Sequence, residues 1–378
     1  MGGYQYRTYL MLLVDEDTLR LNVLATTALA IRINEDAMCV EALTAETTHR
    51  VDLKPAGNPV RYLRAVRESL SVLALGTPGG YPVFIQRWAR SGALETDRLT
   101  RLLCLGEPEA VVAVAASRNL NDELARCAWW CLPTAEVARL MLAHPAVANG
   151  STGPTLGHFL LDHLPFETAS RLVIDTVKLL LRSHLLNDQE IGRLRAQAQD
   201  HVAWLVGFLS AGPQYLDARP ESQTDPHTAS FMEETGPMGT LLARTSSVQG
   251  KHFLRCVESA LKQAIDMDTV VDTLNALGEY CKPLRGEGAL PRSARALQHA
   301  VATFPGLSTE AFAQNRAEAK NAGQVRQRQT ALITLSLCGE PLVTPFFANS
   351  DAVGSLMRRK LEPVLNPVFF ALATLLNP

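Results

Sequence analysis

The chain has 378 residues and a mass of 41.2 kDa, long enough to bury about 75% of its unfolded surface without disulfides or structural metal. Hydrophobic residues make up 47% and charged residues 20%, with a mean hydropathy of +0.03, which excludes a mostly disordered, collagen-like or disulfide-scaffold chain. With 36 basic and 38 acidic residues the formal charge is −2, so no global field draws the protein toward nucleic acid or anionic lipid.

The apolar stretch Tyr9 to Val14 is short and runs straight into Asp15, Glu16 and Asp17, so it does not read as a secretory signal. Residues 1–14 look like an extension, and translation from Met11 is a second reading of the start. Rough apolar and polar alternation over Ala28 to Leu53, broken by Asn34-Glu35-Asp36 and Thr44 to Thr47, predicts a small three-stranded antiparallel meander that must pack on helices. From about residue 60 the period becomes helical: Val60, Leu63, Val66 and Leu70 share one face, with Arg61 and Arg64 elsewhere around it. Gly76-Thr-Pro-Gly-Gly-Tyr-Pro82 ends that helix.

Between Leu99 and Leu186 short helices alternate with corners at Gly106-Glu-Pro108, Ser117 to Asn121, Leu132-Pro-Thr134, Ala143 to Gly153 and Leu164-Pro-Phe166. Asn121 and Thr134 are the expected N-caps of the helices that follow them. Phe166, Ala169, Val173, Val177, Leu180, Leu181 and His184 predict a long amphipathic helix through Arg182, and a second helix is expected over Gln189 to Leu209. Pro, Gly, Ser, Thr and acids dominate Ala211 to Gly239, which reads as a linker or loop. Helices are then expected at Lys251 to Ile265, Thr269 to Tyr280 and Thr309 to Leu337, followed by two short ones interrupted by Pro363 and Pro367.

The fold expected is therefore mainly α: irregular stacked helix hairpins, α-solenoid-like, with a small N-terminal β-meander. Its parts are residues 1–60 with the meander, 61–210 as a helical-hairpin domain, 211–239 as a flexible linker or loop, and 240–378 as a C-terminal helical region. No stretch reaches the roughly 20 apolar residues of a spanning helix. Seven cysteines without a C-x-x-C pair read as thiols of a reducing cytoplasm.

Motifs for chemistry are sparse. Gln249-Gly-Lys-His252 lacks both the first glycine and the hydroxyl of a phosphate-binding loop, and Gly286-Glu-Gly-Ala-Leu-Pro291 has proline where a dinucleotide fingerprint has its third glycine. No G-x-S-x-G or H-E-x-x-H occurs. His158 and Asp162 can share a helix face, but His163 points about 140° away from His158, so a metal set is not expected. Cys127 and Cys131 flank Trp129-Trp130 and read as a core pair. No catalytic, metal or cofactor-binding residue is assigned, and no cofactor is expected.

One region carries a binding pattern. Arg61, Arg64, Arg67, Arg87, Arg90, Arg98 and Arg101 stand against only Glu68, Glu95 and Asp97, with Tyr62, Tyr81, Phe84 and Trp88 interleaved. Guanidinium and aromatic groups together suit phosphate pairing and base stacking. Arg61, Arg64, Tyr81, Arg87, Trp88 and Arg90 are the candidate surface for a partner protein or RNA. The bland reading is a solvated face whose arginines pair with acids elsewhere.

Leu19-Arg-Leu-Asn-Val-Leu, Gly76-Thr-Pro-Gly-Gly-Tyr-Pro-Val-Phe-Ile-Gln-Arg-Trp, Leu105-Gly-Glu-Pro-Glu-Ala-Val-Val-Ala-Val and Asp122-Glu-Leu-Ala-Arg-Cys-Ala-Trp-Trp resemble the DsrS family, soluble proteins encoded with the reverse-acting dissimilatory sulfite reductase genes of sulfur-oxidising bacteria. The resemblance covers residues 16 to 190 most firmly and carries no functional residues. It implies a cytoplasmic accessory or regulatory role in oxidation of stored sulfur, without a sirohaem or iron–sulfur cluster of its own. The expected activity is thus non-catalytic, through contacts with a protein of the sulfur-oxidation system. RNA binding that regulates those genes is the alternative, and a thiol-dependent sulfur-handling enzyme is the third reading.

Overall fold

The computed structural model describes residues 13–377 except 56, 78, 80–93, 217–235, 286–287, 305–318 and 349. The chain divides into two compact units, residues 1–165 and 166–378. No described helix is long and apolar enough to cross a membrane.

In the first unit, α1 (Asp15–Thr27) opens with three acids that complement the positive end of the helix dipole. The meander follows: β1 (Ala30–Asn34), β2 (Cys39–Leu43) and β3 (Thr48–Asp52), antiparallel in the order β1-β2-β3. Ala30 pairs with Leu43 and Cys39 with Asp52 at the ends of the two ladders. Asn34 turns the first hairpin by accepting from the Ala37 amide at 2.9 Å.

Asn58 caps α2 (Pro59–Leu75), accepting from the Val60 and Arg61 amides; Pro59 sits at the first turn, and Gly76 ends the helix at φ 75°. Its buried face, with Tyr62, Leu63, Val66 and Leu70, joins Leu21, Leu24, Ile31, Val40 and Leu53 in one core. The helix that the period predicted from residue 60 is therefore present, and Leu63, Val66 and Leu70 of its predicted stripe pack in this core, whereas Val60 in the first turn is 76% exposed.

Short helices complete this unit: α3 (Thr96–Leu103), α4 (Pro108–Ala115), α5 (Asp122–Cys131), α6 (Ala135–Leu142), α7 (Pro145–Ala148) and α8 (Gly153–His163). The expected caps form, with Asn121 Oδ1 accepting from the Leu124 amide at 2.8 Å and Thr134 Oγ1 from the Val137 amide at 3.4 Å. Arg32 ties the meander to α5. It donates to Glu41 across β1–β2 at 2.6 Å and to the Trp130 carbonyl at 2.9 Å, with its guanidinium 4.4 Å from the Trp130 ring centre.

Asp122 fastens the α7–α8 corner to the start of α5. Its carboxylate accepts from the Ser151 amide at 2.9 Å, the Ser151 hydroxyl at 2.7 Å and the Thr152 amide at 3.0 Å. Burial pushes this carboxyl up, but the hydrogen bonds from Ser151 and Thr152 outweigh it and hold the group below the usual aspartate range. A depressed folded value gives stability that is present above the unfolded pKa of about 3.9 and is lost as pH falls through the folded value. Asp122→Ala is expected to lower stability by about 1–2 kcal/mol at pH 7, and urea titrations from pH 7 to pH 3 should show that gap closing below about pH 4. A gap independent of pH would remove the ionised carboxylate from the account.

The second unit contains α9 (Ser170–Arg182), α10 (Asp188–Asp200), α11 (Val202–Ala211), α12 (Pro237–Ser246), α13 (Val248–Gln263), α14 (Met267–Tyr280), α15 (Ala294–Ala302), α16 (Ala319–Ser336), α17 (Thr344–Phe347) and α18 (Gly354–Leu376). Apolar α11 is central, packing on α9, α13 and α14. Gly207 allows the close approach to α9, since a Cβ there would lie 2.6 Å from Val177 Cβ. Capping boxes open α10 at Asn187 with Glu190, and α14 at Asp266 with Thr269. The Ser170 hydroxyl donates to Asp266, and Arg171 bridges Asp175 at 2.9 Å and Asp272 at 3.2 Å, so the start of α9 is held to α14.

Further details differ from the expectations. The helix expected over Gln189 to Leu209 breaks at His201, whose ψ of 108° is extended; polar α10 lies at the surface while apolar α11 is buried, and one straight helix cannot do both. Three residues of the predicted stripe fall outside α9: Phe166 sits in a 3-10 turn and is 81% exposed, Ala169 is exposed just before Ser170, and His184 is exposed beyond Arg182. The C-terminal segment is not two helices cut at the prolines. Pro363 and Pro367 lie one turn apart within the continuous α18, which is held by its opposite face of Met357, Leu361, Val364, Leu365, Val368 and Leu372. Residues 166–378 form one unit, within which α11 packs on α13 and α14.

Candidate functional site

Arg61 and Arg64 lie exposed on α2, three residues apart, while Arg67 one turn on pairs with Glu35. Tyr81, Arg87, Trp88 and Arg90 lie outside the described residues. The described part of the predicted Arg and aromatic surface is thus two adjacent guanidinium groups on one helix.

All seven cysteines are free thiols, and all but Cys131 and Cys256 are buried. Burial raises every one above the usual thiol range. Cys104 reaches about 11 and Cys281 about 12. Cys131 donates to the Ile31 carbonyl at 3.6 Å and Cys338 to the Thr334 carbonyl at 3.3 Å. Cys127 is buried in the apolar face of α5, as a core thiol. Cys256 is the exception in its company: its sulfur lies 3.7 Å from His252 Nε2 on the same face of α13, yet burial still lifts it to about 11. The spacing H-x-x-x-C was the sequence signal for that pair.

His158 and His163 on α8 bond through Nδ1 to the Pro154 and Phe159 carbonyls of their own helix, and His163 stacks on Phe159 with ring centres 3.8 Å apart. Among the described residues no group of three His, Cys, Asp or Glu side chains could hold a metal ion.

An open hollow of about 890 Å³ lies in the second unit, between α15, α16 and α18. One wall is a stripe of α16, namely Gly323, Arg326, Gln327, Thr330, Ala331 and Thr334. These recur at three and four residues and so share a helix face. The other wall is Pro363, Asn366, Pro367, Phe370 and Ala371 of α18, again one face, and Gln298 of α15 closes a third side. Small side chains at Gly323, Ala331 and Ala371 leave the gap open. A second hollow of about 380 Å³ meets the first at Gln327 and Phe370 and adds Gln324, Arg328, Ala373, Thr374 and Asn377.

Among the described residues no Asp or Glu lines either hollow; Arg326 is an exposed charged group there, and Arg328 is buried in the wall of the second. Pro363 and Pro367 have no N–H, so the carbonyls of Arg359 and Pro363 lack their i+4 donor. Phe370 is 76% exposed at the junction of the two hollows. Sequence reasoning missed this site; the visible signals were the Gln and Thr stripe from 323 to 334 and two prolines one turn apart. No family model, curated protein or solved structure matches the chain.

Proposed function

We propose that this chain is a non-catalytic accessory protein that works through protein–protein contacts, in the cytoplasm, as part of a Dsr-type sulfur-oxidation system. The observation that carries the contact reading is the double hollow beside α16 and α18, a wide, open face of amides, hydroxyls, arginine and one exposed aromatic ring. Interfaces favour aromatic and Arg anchors within such lining. The thiols support the non-catalytic part of the proposal, since each is raised and therefore protonated at neutral pH. The sulfur-oxidation setting comes from the resemblance to the DsrS family.

The test is affinity capture of the tagged protein from sulfur-oxidising cells, with half of each sample treated with ribonuclease. Defined protein partners that survive ribonuclease and are lost with Phe370→Asp are the expected result. Partners lost on ribonuclease treatment would replace this reading with the RNA-binding one, for which Arg61 and Arg64 are the described contacts. A turnover activity abolished by a point substitution would overturn the non-catalytic reading.

A further inference from the structure

We infer that the double hollow of the second unit binds an extended, acidic peptide segment of a partner protein. The inference rests on the accessory-protein reading and names the chemistry of the partner.

Length comes first. The α18 lining runs from Pro363 to Asn377, which at 1.5 Å per residue is about 21 Å. An extended chain at about 3.3 Å per residue covers that distance with about six residues. A compact small molecule would fill one hollow and leave the other, whereas a strand-like segment follows both across their shared Gln327 and Phe370.

Hydrogen bonding comes second. An extended peptide brings N–H and C=O groups that have no partner within its own backbone, whereas a docking helix has satisfied its own. The walls offer both kinds of group. Gln298, Gln327 and Asn366 each carry an amide that donates and accepts, and the Pro363 carbonyl lacks its i+4 donor. Phe370 at the junction gives an apolar side chain of the peptide a place to pack.

Charge decides the sign. The described stretch of α16 from Gly323 to Ser336 carries Arg326 and Arg328 and no acid. The α15 segment adds Arg295 and His299, again with no acid. Glu362, next to Pro363 in sequence, is not part of either lining. A carboxylate entering the hollow therefore meets the exposed Arg326 guanidinium and amide donors, with no like charge among the described lining residues, and a lysine meets the reverse.

The experiment is fluorescence anisotropy on the full chain with a labelled peptide of three Glu-Leu-Asp-Gly repeats. Its Lys-Leu-Lys-Gly counterpart and an oligouridylate of about the same length are the comparisons. The acidic peptide is expected to bind, to weaken as salt rises from about 0.05 to about 0.3 M, and to lose at least ~10-fold in affinity with Arg326→Glu. Phe370→Ala should weaken it as well. Arg326 and Phe370 are exposed, and circular dichroism of each variant checks that the fold is kept. Absence of binding to the wild-type chain, or binding unchanged by Arg326→Glu, overturns the inference. So does oligouridylate binding with the same dependence on Arg326, which would make the hollow a nucleic-acid site. The capture experiment separates the two levels: protein partners retained without peptide binding leave the accessory reading standing and remove the acidic occupant. Loss of all specific partners removes both.

Discussion

Gly250→Ala is expected to destabilise the second unit by more than ~3 kcal/mol, far beyond the usual effect of adding one methyl group to a helix. Only Ser247 separates α12 from α13, so the chain passes from one helix into the next within one residue, and Gly250 sits in the first turn of the second helix. A Cβ there would lie 2.0 Å from the Arg244 carbonyl oxygen and 2.9 Å from Thr245 Cα. Both are backbone atoms and cannot swing aside. The same carbonyl already accepts from the Ser247 hydroxyl at 2.7 Å, while Ser247 Oγ accepts from the Gly250 amide at 3.0 Å. Moving the two helices apart to admit the methyl group breaks this corner and opens the core around Leu241, Leu242, Phe253 and Leu254. Gly192 is the matched control, because it lies on exposed α10 with nothing within 4 Å of its Cβ position. There the same substitution should raise stability by roughly 0.5–1 kcal/mol through helix propensity. Urea denaturation of both variants measures the contrast, and a Gly250→Ala protein within about 1 kcal/mol of wild type would contradict the packing argument.

The contrast between these glycines also explains which features could be read from sequence. Caps and turns are local chemistry, so Asn121, Thr134 and Gly76 announced helix ends that the structure contains. The meander was legible for the same reason: alternation over five-residue strands and polar turns between them need no distant partner. The break at His201 carries no Pro or Gly and comes from the opposite burial of α10 and α11, which is a tertiary fact. Pro363 and Pro367 misled in the other direction. A proline disrupts an isolated helix, but here the buried face of α18 outweighs two missing hydrogen bonds. The candidate site was legible least of all. It arises where small residues of α16 face prolines of α18 across a gap of about forty residues in sequence, and no single window contains both walls. The exposure of Arg61 and Arg64, by contrast, follows from the period of α2 alone.

Removing the carboxylate of Asp17 should cost about 2–3 kcal/mol, and most of that should be recoverable by a second substitution. Asp17 is 1% exposed in α1, a position where an unpartnered acid is not tolerated. Its Oδ2 accepts from the Tyr62 hydroxyl of α2 and from the Lys54 amide at 3.1 Å, while Oδ1 has no partner. One oxygen therefore joins two helices and the end of the meander, and the other is buried without return. Burial, reinforced by the hydrogen bond to Asp17, pushes Tyr62 up to about 12. Asp17→Leu leaves the Tyr62 hydroxyl without its acceptor in that setting, and the penalty for an orphaned donor exceeds the worth of the bond itself. Tyr62→Phe alone leaves the carboxylate with one donor fewer and should cost somewhat less, because Lys54 still donates. The double variant Asp17→Leu with Tyr62→Phe removes both polar partners and the orphaned Oδ1 together, so it should be more stable than Asp17→Leu alone. Urea titration of the four proteins gives the coupling energy directly. A double variant as unstable as the sum of the singles would mean that the two groups do not act as a pair, and the docking of α1 would then depend chiefly on apolar contacts such as those of Leu21 and Leu24.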